Sequence, residues 1–212
     1  MISDALELVD YRRRVATLYS DIQRSGVGPD SWLVWHRART ELLLTHPQSP
    51  IVNRNEFSEE SLSYFEYDPS WNVIGTVEPL ADDEEPAKVA GGPSTFTQIG
   101  SVLFERNGES HSLALFWLDA YGGGLLVPFR DKTNGTSTYG AGRYILDGAK
   151  SADLGAAGQN ELVLDFNFSY HPSCMWDPQW PCPLAPPTSH LAVEVAAGEK
   201  MPEQLMAPVE SS

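Results

Sequence analysis

The sequence is short of basic residues, of cysteine and of long apolar runs, and each shortage excludes a class of protein. Against 29 Asp+Glu stand only 14 Lys+Arg, giving a formal net charge of -15. A surface of that sign repels phosphate backbones, whose affinity for proteins comes largely from Lys and Arg neutralising phosphates, so no nucleic-acid partner is expected. The cysteines, Cys174 and Cys182, are too few for a disulfide scaffold. No apolar run approaches the ~18 residues that a membrane-spanning helix needs, and the acids among residues 1–10 do not suit a secretory leader. No membrane partner and a cytoplasmic location are therefore expected. Lysine is scarce too, with Lys88, Lys132, Lys150 and Lys200 the full set. Acid excess with few lysines suits a high-salt cytoplasm, where salt screens the self-repulsion of a large net charge. The plainer reading is simply an acidic protein.

What is present is ordinary core-forming material. A chain of 212 residues with 42% hydrophobic and 10% aromatic content can bury a substantial interior and is expected to form a single domain over residues 1–199. Its helical N-terminal segment covers residues 4–46 and its β part residues 70–199, with a disordered tail at 200–212. Leu8, Tyr11, Val15, Leu18 and Ile22 recur at spacings of three and four, one stripe of a helix ending near Gly26. A second helix starts at Pro29, with Asp30 favouring its N-terminal dipole, buries Trp32, Trp35 and Leu42, and stops at His46-Pro47.

From Trp71 onward, short β-branched and aromatic runs alternate with turn residues. The pattern predicts strands over 71–77, 96–106, 111–119, 125–129, 138–146, 161–170 and 191–195. Asn107-Gly108, Gly122-Gly123-Gly124 and Asn134-Gly135 supply the positive-φ turns an antiparallel arrangement needs. The expected fold class is mainly β (α+β): an antiparallel β-sandwich or barrel-like meander preceded by two N-terminal helices. Residues 79–93, with Asp82-Asp83-Glu84-Glu85, read as a solvated loop in preference to a cation site.

Strand periodicity locates the candidate site. Asp165, Asn167 and Ser169 fall on one face of their strand, opposite Leu162, Leu164, Phe166 and Phe168. The same alternation puts Tyr139 with Arg143, and if the two strands are neighbours Arg143 lies across from Asp165. Read functionally, Arg143 offers a planar fork for a carboxylate or phosphate, and Tyr139, Asp165 and Asn167 line the pocket. Read structurally, Arg143 and Asp165 are an ion pair pinning two strands. Arg130, beside Asp131, carries the same two readings. Gly140-Ala141-Gly142 is no nucleotide loop, since neither a helix start nor Gly-Lys-Ser/Thr follows it.

The Pro-dense segment 170–187 carries Cys174 and Cys182. They are readable as structural thiols, a disulfide, metal ligands with His171 and His190, or a Cys174 nucleophile assisted by His171; structural thiols lead, and the spacing matches no standard zinc pattern. No metal and no cofactor are expected.

Pro128-Phe129-Arg130-Asp131, Thr138-Tyr139-Gly140-Ala141-Gly142-Arg143-Tyr144, Asp165-Phe166-Asn167, Tyr170, Pro172, Cys174 and Cys182-Pro183-Leu184 together resemble the signature of the bacterial and archaeal family called domain of unknown function 1684. Thr45-His46-Pro47-Gln48-Ser49-Pro50 and Tyr64-Phe65-Glu66-Tyr67-Asp68-Pro69 are similar to its leading segment. The resemblance spans about Trp32 to Glu199 and implies one integrated domain without an assigned activity. The family pattern commonly has Asn where His171 stands and Asn-Arg where Ser189-His190 stands, which implies that neither histidine is a shared ligand or base. Ala185 replaces a usual Pro.

The leading functional reading is a non-metal domain that binds a small anionic molecule or a partner segment on this polar face. The alternatives are a hydrolase- or transferase-like enzyme using Asp165 or Cys174 near Arg143, and a purely structural or interaction protein.

Overall fold

The computed structural model describes residues 2–206. Helix α1 spans Ile2–Ser25 and helix α2 Pro29–Thr45, close to the expected bounds. Pro29 stands in the first turn of α2, where its missing N–H costs nothing, and α2 closes with the His46 N–H donating to Leu42 O. The two helices pack through Tyr19, Ile22, Trp32 and Trp35, and the Trp35 indole N–H donates to the Tyr19 hydroxyl at 3.0 Å.

Eight strands follow: β1 Asn72–Pro79, β2 Lys88–Gly91, β3 Ser94–Arg106, β4 Glu109–Leu118, β5 Leu125–Phe129, β6 Arg143–Asp147, β7 Ala156–Gly158 and β8 Glu161–Asp165. They form one antiparallel sheet in the order β6-β5-β4-β3-β1-β8-β7, with β2 attached to β3. The mainly β, two-helix expectation therefore holds, in the meander form; no second facing sheet occurs among the described residues. The sheet is open but curled, because Tyr144 on β6 exchanges both backbone hydrogen bonds with Tyr170, beyond the end of β8.

That curl produces two cores. On the concave face Phe166 meets Phe104 of β3, Phe129 of β5 and Trp71 at ring-centroid distances of 5.4, 5.1 and 5.2 Å, and Leu191, Val195 and Ala197 fill the remaining space. Each such fully buried aromatic contributes on the order of 2 kcal/mol. On the other face Ala114, Phe116, Leu126 and Tyr144 pack against both helices.

Four departures from the expected elements have local causes. Residues 138–142 are not strand: Gly142 turns the chain at φ +100, its N–H donating to Tyr139 O, so β6 begins only at Arg143. Residues 166–168 are a 3-10 turn capped by the Asp165 side chain, which ends β8 early and swings Phe168 into the helix-side core. Residues 191–195 make no strand; they follow residues 130–132 through a single bridge, Arg130 with His190. Strand β2 lies in the expected loop and pairs Gly91 with Ser94 around the turn at Gly92, φ +66. The expected disordered tail is partly placed, since Lys200 and Met201 donate backbone hydrogen bonds to Ser63 and Ser137, while residues 207–212 lie outside the described residues.

Candidate functional site

The expected Arg143–Asp165 pair is not formed, because β6 lies at one end of the sheet and β8 lies beyond β1, where Asp165 faces Asn72. Arg143 instead pairs with Asp131 at 3.0 Å, both side chains being sealed from solvent. Its guanidinium also donates to three carbonyls of the C-terminal segment: Val195 at 2.8 Å, Glu199 at 3.3 Å, and Ala197. Asp131 accepts from the Thr133 and Val195 backbone N–H groups. Arg143 thus clamps residues 195–199 to the sheet, and no fork is left for a ligand.

Asp165 is also sealed, and among the described residues no cation pairs with it. It accepts from the Tyr67 hydroxyl at 3.0 Å and from the Asn167 backbone and side-chain N–H groups at 3.0 and 2.7 Å. Burial pushes its carboxyl up to about 6, against the downward pull of those hydrogen bonds. Asn167 bonds both main-chain groups of Asp68, and its carbonyl accepts from the Trp32 indole at 2.9 Å. It therefore ties helix α2 and the 64–69 segment to the sheet. Arg130 is half-buried at the 130/190 bridge, away from this pair. Tyr139 sits in its turn with its hydroxyl toward Cys174, its N–H donating to His171 Nε2 at 3.2 Å.

The side chains named as one polar face are therefore split among three places. Open space is found instead at the junction of the two helices with the sheet, where one cavity of about 280 Å³ lies between α1, α2, residues 149–152 and residues 170–173. Leu8, Val15, Leu18, Leu42 and Trp35 make its wall apolar, and Arg12, Arg39 and Lys150 bring three cations to it. Arg39 is doubly bonded to Glu199, and Lys150 pairs with Asp147 at 3.2 Å. Arg12 is exposed and donates to Ala149 O at 3.1 Å, and among the described residues no carboxylate pairs with it, leaving a positive charge at the mouth.

His171 forms the floor of this region. Because its Nε2 accepts the Tyr139 N–H, the ring proton sits on Nδ1, 3.5 Å from Glu199 Oε2. Burial holds the imidazole below its usual range, partly offset by Glu199, so it is neutral. Burial raises Glu199, yet the charge of Arg39 and the hydrogen bonds from His171 and Arg39 outweigh it and hold the carboxyl at about 2. Arg39 was legible in retrospect: it continues the Trp32–Trp35–Leu42 spacing, and an Arg on an apolar helix stripe signals a buried cation. Glu199 carried no such signal.

Cys174 and Cys182 are free and half-buried, and the Cys174 N–H donates to Cys182 Sγ at 3.3 Å. Among the described residues no group of three or more His, Cys, Asp or Glu side chains gathers as a metal site, and no helix is long and apolar enough to cross a membrane.

A mainly β antiparallel sheet with two leading helices, its C-terminal segment clamped by a buried Arg–Asp pair, defines the domain class. The chain belongs to the family described as protein of unknown function DUF1684, whose profile matches residues 56–200. It is similar to the uncharacterized protein from gene locus rrnAC0354 of Haloarcula marismortui, solved by solution NMR. The two share 30% identity over 81% of this chain and 95% of that one, with a TM-score of 0.57. No curated protein matches.

Proposed function

We propose that this protein is a small-molecule-binding domain whose ligand is an amphipathic anion, an apolar body with a carboxylate or phosphate head, held in the cavity between the helices and the sheet. The observation that carries the reading is a positive charge at the mouth of an apolar cavity on a protein whose net charge is -15. Apolar walls with a few convergent polar groups are the usual construction of a ligand site. Here the aliphatic side chains of α1 would take the body, and Arg12 with Lys150 the head. The anionic ligand expected from the sequence is kept, but its site moves from the Arg143 face, which has no opening, to the helix–sheet junction. An enzymatic role for Asp165 beside Arg143 loses its geometry, since both are sealed and paired elsewhere.

A thermal-shift screen of medium-chain carboxylates and phosphate monoesters against the full chain tests the proposal, because ligand binding raises the melting temperature with saturation. At least one amphipathic anion should stabilise wild type, with the shift halved or more in Arg12→Ala and abolished in Leu18→Trp, which fills the cavity. Acetate and inorganic phosphate, lacking the apolar body, should give no shift. Equal shifts in wild type and both variants would overturn the proposal, as would a screen in which nothing binds.

A further inference from the structure

The segment 173–183 brings two thiols to an opening beside Lys150; Lys150 borders the ligand cavity as well, but neither thiol lines it. Cys182 Sγ accepts the Cys174 backbone N–H at 3.3 Å, which sets the two cysteines side by side. The Tyr139 hydroxyl lies near the Cys174 thiol. A second cavity, of about 210 Å³, opens onto Cys182, with Tyr144, Lys150 and Trp180 on its walls. The loop around it is fastened at Tyr144, whose hydroxyl donates to Pro183 O at 2.7 Å.

We propose that Cys174 and Cys182 are a redox-active dithiol that exchanges with small disulfides, Cys182 being the attacking sulfur and Cys174 the resolving one. The asymmetry follows from the surroundings. Cys182 receives hydrogen bonds from the Cys174 thiol and backbone N–H and lies near the Lys150 ammonium, so its thiol is held below the usual range despite burial. Cys174 gives its proton to that hydrogen bond and is pushed up, with burial acting in the same direction. Asp147, Tyr144 and Tyr11 also face Lys150, and Tyr139 faces Cys174.

In the first step the Cys182 thiolate attacks one sulfur of R–S–S–R, forming Cys182–S–S–R and expelling one thiolate. Cys174 then attacks Cys182 Sγ, closing the Cys174–Cys182 disulfide and expelling the second thiolate. The protons lost by the two cysteines end on the two departing thiolates. Two cysteine thiols are oxidised and one small disulfide is reduced to two thiols.

The test uses the full reduced chain at pH 7. Limiting iodoacetamide followed by peptide mass mapping should label Cys182 at least about tenfold faster than Cys174. Oxidised glutathione should convert wild type to an intramolecular disulfide, with both thiols lost and no adduct retained. Cys174→Ser should instead trap a glutathione adduct at Cys182, and Cys182→Ser should form neither product. Equal, slow labelling of both cysteines in wild type overturns the proposal without reliance on any variant, as does an adduct at Cys174 in Cys182→Ser. None of these readouts depends on the ligand cavity.

Discussion

Asp165 shows what burial does to a single residue. Its carboxyl is fully enclosed, has three hydrogen bonds and no cation, and titrates near 6 rather than at its ordinary 3.8. A folded-state value raised above the unfolded one means that the folded chain holds the proton more tightly. The stability this confers is fully present below about pH 4 and is lost as the pH rises through 6. The span of about two units corresponds to at most about 3 kcal/mol. Asp165→Asn keeps the shape and removes the charge. Denaturant unfolding from pH 4 to 7.5 should therefore show wild type losing up to about 3 kcal/mol relative to the variant, and parallel curves would sink the idea. Two other buried groups pull the opposite way in both proteins and cancel in the comparison. His171, lowered by burial, costs stability as pH falls below its ordinary 6.5, and Glu199 does so between 4.5 and 2. The chemistry of these residues was legible in the sequence, where Arg143, Asp165 and Asn167 stand out as polar groups on core-forming strands. Their partners were not. A strand's alternation says which face a side chain takes, but the neighbour across that face is set by strand order, and here β1 comes between β3 and β8.

Among the elements, the helices were the most legible, because caps and apolar stripes are local; α1 and α2 start and stop where Gly26, Pro29 and His46-Pro47 place them. Strand ends were less so. Residues 138–142 carry β-like side chains, yet the Gly142 turn removes them from the sheet, and the Asp165 cap converts the continuation of β8 into a 3-10 turn. The segment 191–199 is the instructive case. It has strand composition but few ladder bonds, and its attachment is supplied by the Arg143 guanidinium and the Asp131 carboxylate. Removing the cation leaves Asp131 buried and unpaired and frees carbonyls in a dry interior. Arg143→Leu is expected to lose about 3–5 kcal/mol of stability, and Asp131→Asn/Arg143→Leu to recover part of it. Native-state hydrogen exchange should show the Val195 and Glu199 amides losing protection ahead of the strand amides of β3 and β4. Unchanged stability would mean that packing of Val195 and Ala197 alone holds the segment.

At the scale of the whole molecule, the net charge of -15 acts on every folded contact at once. The run Asp82-Asp83-Glu84-Glu85 concentrates it: all four side chains are exposed, and the Glu84 carboxylate accepts the Ala81 backbone N–H at 3.3 Å within a turn closed by the Glu84 N–H donating to Ala81 O. Like charges held close in the compact state repel more than in the expanded chain, so folding works against the field until salt screens it. The screening length falls from about 30 Å at 0.01 M salt to about 10 Å at 0.1 M and about 3 Å at 1 M, the last shorter than most spacings between surface charges. Melting temperature should therefore rise steeply from 0.01 to about 0.2 M sodium chloride and level off toward 1 M, where screening is complete. Converting residues 82–85 to their amides should raise the melting temperature in dilute buffer and leave it unchanged in molar salt, because the variant removes only what salt already hides. A continuing linear rise to several molar would point to surface exclusion of salt instead of screening. A flat profile from 0.01 to 1 M, with no gain from the amides, would show that the acidic surface is spaced widely enough to cost the fold nothing and would remove the case for a high-salt origin.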